Sequence, residues 1–376
     1  MKRQDLLLAE KAVLQYIDSQ QLREGDTIPP VRELQAELYL SRNVILSALA
    51  SLRSKGVVSK GDSARQGYKL CVCPGLPLSS YGAEQELTAQ FLLPFYTWNY
   101  TINKYLSSFE NVFSSHGIDL IFNNTHNSVD EERRLLEGIY SKTPSARPDF
   151  LLFATCNSCS NPNLDILEKI NNEIPVILID RYFPTAPYFQ YIGVNNTYIG
   201  SRAAQYLLQN RHRNIGYVKA YNDLSTIKER FVAFCSTLAD ADVFMPRQNI
   251  FEISGKDVGF ITDIQNEADS IGARILSLPE RPTAIVCSFD RIGVALIKFF
   301  LKNNVRIPED ICIIGCDNDL DVAPMSPLSL TTFRHPYRKC AEEAVERMLR
   351  LKKDADSAPR KIEYYSEFMI GESTQP

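Results

Sequence analysis

The sequence is poor in histidine and tryptophan and has no long apolar run, and each shortage removes a class of function. Among 376 residues there are four histidines and one tryptophan, Trp98. No H-E-x-x-H occurs, no G-x-S-x-G occurs, and no Gly-rich phosphate loop follows a predicted strand. Carboxylates are plentiful, but no pair is singled out by spacing. No catalytic residue and no cofactor is therefore expected. No apolar stretch approaches the roughly 18 residues that read as a membrane span. The opening MKRQDLLLAEKAVLQYIDSQ has a basic tip, but acidic residues and Lys11 interrupt its apolar part. It reads as a helix rather than a signal peptide, and the expected location is the cytoplasm.

Cysteine is present in an odd number, nine, scattered and partly inside apolar strands. That distribution fits reduced thiols better than a disulfide framework. Cys156-x-x-Cys159 has the one spacing that suits zinc or redox chemistry. A closed zinc site needs four ligands. No second C-x-x-C exists and no histidine lies nearby in sequence, so no metal is expected.

What is there begins with IPPVRELQAELYLSRNVILSALASL, residues 28–52. Pro30 suits the start of a helix because its φ is already fixed near the helical value. Leu34 and Leu38, four apart, share a face. Tyr39-Leu40 makes a tight turn, and Ser41 is a good N-cap for a second helix. There Ile45, Ala48, Leu49 and Leu52 form a buried stripe, while Arg42, Asn43 and Ser47 point away. This is the layout of a helix-turn-helix, whose second helix offers its first side chains to the major groove. A helix over 2–21 precedes it. Short strands at 57–60 and 68–71, joined by a turn carrying Arg65, follow it as a wing. Residues 1–70 hold 11 basic and 8 acidic residues, against a net charge of −4 for the whole chain. A mildly basic module on an acidic body fits polyanion binding by the first part alone.

Leu22-x-x-Gly25-Asp26-x-Ile28-Pro29-Pro30-x-Arg32-Glu33-Leu34, then Ser41-Arg42-x-x-Ile45-x-x-Ala48-Leu49-x-x-Leu52-x-x-x-Gly56-Val57-Val58, resembles the GntR-type winged helix. The resemblance implies DNA contact by Arg32, Ser41, Arg42, Asn43, Val44, Arg65 and the wing-tip Gly67. Val44 and Leu46 depart from the Thr and Arg usual in that family, so the operator sequence does not carry over.

Residues 71–82 are rich in Pro, Gly and Ser, and a linker is expected over 71–87. From residue 88 short apolar runs alternate with helical stretches, twice over. Such alternation predicts parallel sheets covered by helices, arranged as two lobes with a cleft at the carboxyl ends of the strands. This half resembles the LacI-type effector domain. The matching residues are Val176-Ile177-Leu178-Ile179-Asp180-Arg181, Ile192-Gly193-Val194-Asn195-Asn196, Asn214-Ile215-Gly216-Tyr217 and Thr226-x-x-x-Arg230. Pro282-Thr283-Ala284-Ile285, Ile307-Pro308-x-Asp310-Ile311, Gly315-Cys316-Asp317-Asn318 and Pro327-Leu328-x-x-Thr331-Thr332 continue the match in order.

The fold implied is α/β: an N-terminal winged helix-turn-helix followed by a two-lobe periplasmic-binding-protein-like domain of parallel sheets flanked by helices. Expected limits are 1–70 for the first domain and 88–376 for the second. Lobe 1 is expected at about 88–192 and 319–334 and lobe 2 at about 196–317, with 335–376 crossing back. The combination is similar to the class of bacterial regulators that includes the arabinose-responsive repressor. It implies operator DNA, a sugar or sugar derivative and a second copy of the chain as partners. Expected ligand residues are Trp98, Asn99, Asp180, Arg181, Arg230, Phe289, Asp290 and Asp317, with Trp98 suited to stack on a sugar ring. The rival reading is a cytosolic sugar-processing or sugar-sensing enzyme with an accessory DNA-binding module.

Overall fold

The computed structural model describes residues 9–10, 12–14, 16–17, 20, 22, 25–54, 57–60, 68–71, 87–94, 100–220, 224–253, 261–319, 323–353 and 358–375. The chain divides into two compact units, one of residues 1–87 and 115–119, the other of residues 88–114 and 120–376.

In the first unit, helical residues within 9–17 (α1) precede β1 (Thr27–Ile28), α2 (Val31–Leu38), α3 (Arg42–Ser54), β2 (Val58–Lys60) and β3 (Tyr68–Leu70). The Pro30 carbonyl accepts from the Glu33 and Leu34 amides and so starts α2. Ser41 does the same for α3 through Ile45. The expected stripe of Ile45, Ala48, Leu49 and Leu52 is buried against Val13, Ile17 and Leu34. The three strands pair antiparallel in the order β1-β3-β2. Burial of Ile28, Val58 and Leu70 in the same core fixes that small sheet to the helices.

In the second unit, lobe 1 is a six-stranded sheet. Its order is β14 (Lys361–Tyr364), β8 (Gln190–Val194), β7 (Val176–Ile179), β6 (Phe150–Phe153), β4 (Leu87–Leu93) and β5 (Ile118–Asn124). Lobe 2 is a four-stranded parallel sheet of β10 (Ile250–Ile253), β9 (Ile215–Ala220), β11 (Ala284–Cys287) and β12 (Cys312–Ile314). Phe150–Phe153, Val176–Ile179 and Ala284–Cys287 are buried throughout. Apolar strands of this kind are what a parallel sheet covered on both faces requires. In lobe 1 the covering helices include α4 (Tyr100–Ser115), α5 (Val129–Tyr140) and α6 (Leu164–Asn171). In lobe 2 they are α7 (Asn196–Gln209), α8 (Ser225–Ala239), α9 (Ile261–Ser277) and α10 (Asp290–Lys302).

The chain passes between lobes after β8, after β13 (Thr332–Arg334) and after β14. Here the structure corrects the expected lobe limits. Residues 319–334 do not return to lobe 1: Thr331 bridges Ile314 of β12, and Phe333 sits in the lobe 2 core. Helix α11 (Tyr337–Lys353) and β14 belong to lobe 1, since β14 pairs parallel with β8 and Arg347 Nε donates to Gln190 Oε1 at 2.9 Å. Residues 361–369 form two strands, one for each lobe. The second, β15 (Glu367–Met369), pairs antiparallel with β13.

Candidate functional site: a charged cleft and a helix-turn-helix face

Two carboxylates stand just past strand ends, one in each lobe. Asp180 follows β7 with φ 65°, and Asp317 follows β12 with φ 107°. Both are in the left-handed region that L-residues with a side chain rarely adopt, and such strain concentrates at functional sites.

Around Asp317 the partners come from lobe 2 and from the crossings. Arg230, on α8, is 7 % exposed, and its Nη1 lies 3.6 Å from Asp317 Oδ1. The guanidinium is held from behind: Nε donates to Asn196 Oδ1 at 2.8 Å and Nη1 to the Ser288 carbonyl at 3.2 Å. His335 Nε2 lies 3.0 Å from Asp317 Oδ1 and 3.5 Å from Arg230 Nη2. Burial works against the Arg230 charge, but Cys316 and the carboxylates of Asp317 and Asp180 favour it, and its pKa stays above the ordinary guanidinium value.

On the lobe 1 side, Asp180 Oδ1 accepts from the Tyr105 hydroxyl at 3.1 Å, and Asp180 Oδ2 lies 3.4 Å from Arg181 Nε. Arg181 Nη1 donates to the Thr155 carbonyl at 2.7 Å. Burial first, and Asp180 second, push the Tyr105 phenol well above its usual value, so it remains a donor. The lobes also touch directly. The Tyr182 amide donates to Ser225 Oγ at 3.2 Å, and the Tyr182 hydroxyl and Lys361 both bind Glu229 on α8.

The remaining expected ligand residues divide. Asp290, buried at the start of α10, has both carboxylate oxygens engaged within the lobe: Oδ2 accepts from the Asp319 amide at 2.7 Å and Oδ1 from Thr332 Oγ1 at 2.6 Å. It clamps the turn after β12 to β13. Phe289 is half-buried and packs on Ala220, Leu224 and Ile227. Trp98 and Asn99 lie outside the described residues. The sequence reading missed His335 and Tyr105. His335 is one of only four histidines and falls at the crossing between β13 and α11, which is the signal that marked it.

Cys316 Sγ, Asp317 and His335 form a trio with ligand atoms within 4.8 Å of one another. A metal ion there would meet the Arg230 guanidinium, which already holds the Asp317 carboxylate and lies beside His335. Like-charge repulsion fits this trio to the arginine rather than to a cation.

On the first unit, Arg32, Ser41, Arg42 and Asn43 are exposed. Val44 is half-buried against the core, so it offers less to a groove than the resemblance implies. Arg65 and Gly67 lie outside the described residues.

A helix-turn-helix with a short wing, carried in one chain with two α/β lobes around a charged cleft, defines a DNA-binding regulator with a small-molecule domain. The comparisons with known proteins agree. Residues 9–62 match the bacterial regulatory proteins of the gntR family, and residues 204–374 match the periplasmic binding protein-like domain. The HTH-type transcriptional repressor PurR of Aliivibrio fischeri (strain MJ11) is 32 % identical over 267 residues, covering 70 % of this chain and 74 % of that protein. The arabinose metabolism transcriptional repressor of Geobacillus stearothermophilus is 23 % identical over 350 residues, covering 92 % of this chain and 90 % of that one. The crystal structure of the transcription regulator CcpA of Lactococcus lactis superposes with a TM-score of 0.64 at 19 % identity, covering 77 % of this chain and all of that one. The chain belongs to the bacterial transcriptional repressors, with a GntR-type DNA-binding domain joined to a periplasmic-binding-protein-like domain. Its function is regulatory, not enzymatic. Among the described residues no helix is long and apolar enough to cross a membrane.

Proposed function

We propose that the effector is a sugar or sugar derivative, bound between the lobes, and that its binding shifts the operator affinity of a homodimer. The observation that carries this is the Arg230–Asp317 pair of lobe 2, 3.6 Å apart, with Asp180 at the end of a lobe 1 strand. A guanidinium donates through a fixed fork and a carboxylate only accepts, so together they suit a ring that bears several hydroxyls. Asp317 keeps 18 % of its side chain exposed while Arg230 and His335 fix it, which leaves an acceptor for a ligand. The arabinose-metabolism repressor among the relatives supports the same class of ligand. A homodimer supplies the two winged helices that two half-sites require. Linkage then couples the two ligands: whatever the effector does to DNA affinity, DNA does to effector affinity, typically by about 1–3 kcal/mol.

The test is a thermal-shift screen of pentoses, hexoses, deoxysugars, uronic acids, sugar phosphates and nucleobases. A carbohydrate hit that disappears in Asp317→Asn and Arg230→Ala, with folding intact, is the expected result. A hit confined to nucleobases, or one that survives both substitutions, overturns the reading.

A further inference from the structure

Tyr39 ends α2 in the left-handed conformation, with φ 54° and ψ 30°. A side chain bearing Cβ is strained there, which is why glycine or asparagine usually fills such a position. Among the described residues the strain brings Tyr39 no burial. Leu38 and Leu40, on either side, pack against the core, whereas Tyr39 is 94 % exposed. A bulky residue held at a cost, in a turn where a smaller one fits better, points outward to a partner.

Its position names the partner. Tyr39 is in the turn between α2 and α3, next to the exposed Ser41, Arg42 and Asn43. In a helix-turn-helix the second helix lies in the major groove and the first crosses the sugar-phosphate backbone, so the turn between them faces the groove's rim. We infer that Tyr39 is a DNA-backbone contact: its phenol O–H donates to a phosphodiester oxygen, and its ring lies against the adjoining deoxyribose. Tyrosine is among the residues that make such contacts. Because the donor is neutral it displaces no counterion, so the contact adds affinity without adding to the salt dependence.

The test uses the full-length protein with two duplexes, one selected by that protein from a randomised pool and a scrambled version of it. Tyr39→Phe is expected to weaken binding to both duplexes by about the same factor, roughly 10-fold, with an unchanged slope against salt. Tyr39→Gly is expected to weaken binding at least as much while its thermal midpoint stays equal or rises, because the strain is relieved. Wild-type affinity in both variants overturns the contact. A loss confined to the selected duplex overturns the phosphate assignment, since it makes Tyr39 a reader of bases.

Discussion

His335 joins the Asp317 carboxylate to the crossings between the lobes: Nε2 lies 3.0 Å from Asp317 Oδ1, and Nδ1 lies 2.8 Å from Ser366 Oγ. A carboxylate accepts only, so Nε2 is the donor toward Asp317, and Nδ1 pairs with the Ser366 hydroxyl. His335 lies between β13 and α11, and Ser366 between β14 and β15. Two of the three crossings therefore meet at one imidazole.

From this we expect Ser366→Ala to fold but to bind effector several-fold more weakly, in line with the roughly 0.5–1.5 kcal/mol of a typical buried hydrogen bond. His335→Ala should cost more, because Asp317 then loses its orientation directly. Titration calorimetry with the effector found in the screen measures both. Equal affinity in wild type and Ser366→Ala would show that the His335–Ser366 bond does not reach the ligand.

Arg230 has a fork that a lysine lacks. It serves Asn196, Ser288 and Asp317 at once. Arg230→Lys should therefore fail to restore effector binding although the charge is kept. Arg230→Met removes one partner of a largely buried pair, and such losses cost roughly 3–5 kcal/mol. Denaturant unfolding of the two variants separates the effects. Full effector affinity in the lysine variant would leave only charge, not geometry, as the requirement.

The exposed arginines of the helix-turn-helix give a prediction of the opposite kind, in which binding changes and stability does not. Arg32 and Arg42 are exposed. Arg42→Ala should cost about 1–3 kcal/mol in operator affinity if it reads a base. Its unfolding curve should stay within about 0.5 kcal/mol of wild type. Gel shifts at fixed salt decide the matter, and unchanged affinity in both alanine variants would remove them from the interface.

Much of this architecture was legible because it rests on periodicity and punctuation. The stripe Ile45, Ala48, Leu49 and Leu52 is buried as its spacing required, and the apolar runs at 150–153 and 176–179 are interior strands. What was not legible depends on tertiary partners. A continuous β pattern over 361–369 carries no mark of the break at Tyr365-Ser366, because the break exists to serve two sheets. Asp290 looks like a cleft carboxylate from its place after β11, yet only the fold reveals that Asp319 and Thr332 consume its oxygens. His335 likewise acquires its role from residues 18 and 31 positions away.

Glu132 supplies a pH test. It is buried on α5, accepts from the Cys156 amide and Asn161 Nδ2, and so holds the loop that reaches from Thr155 to Asn163. Burial raises its pKa despite those bonds. A carboxyl with a raised folded pKa binds more protons folded than unfolded in the interval between the two values. Its contribution is therefore fully present below the ordinary carboxylate pKa and declines as pH rises through that interval. Glu132→Gln does not titrate, so the stability gap between wild type and variant should be widest in mild acid and shrink toward neutrality. Urea unfolding at a series of pH values measures the gap, and one that widens with pH would reverse the assigned shift.

Gly200 shows how tightly the site is built into the backbone. A Cβ placed on it would lie 2.1 Å from the Arg230 carbonyl oxygen and 3.0 Å from the Phe234 amide nitrogen. Helices α7 and α8 thus cross with their main chains in contact, and the crossing point carries Arg230. Main-chain atoms cannot swing aside as a side-chain end can, so Gly200→Ala must push α8 away. Overpacking of this kind costs about 1–3 kcal/mol. The displacement also carries the guanidinium off Asn196 and Ser288, so effector affinity should fall together with stability. Gly216→Ala is the control: its Cβ would meet Asn249 O and Pro282 Cγ at 3.4 Å, which is near ordinary contact. It should leave effector binding unchanged. Thermal unfolding and calorimetry of the two variants side by side test the claim, and Gly200→Ala with normal effector affinity would show that the α7–α8 contact does not position Arg230.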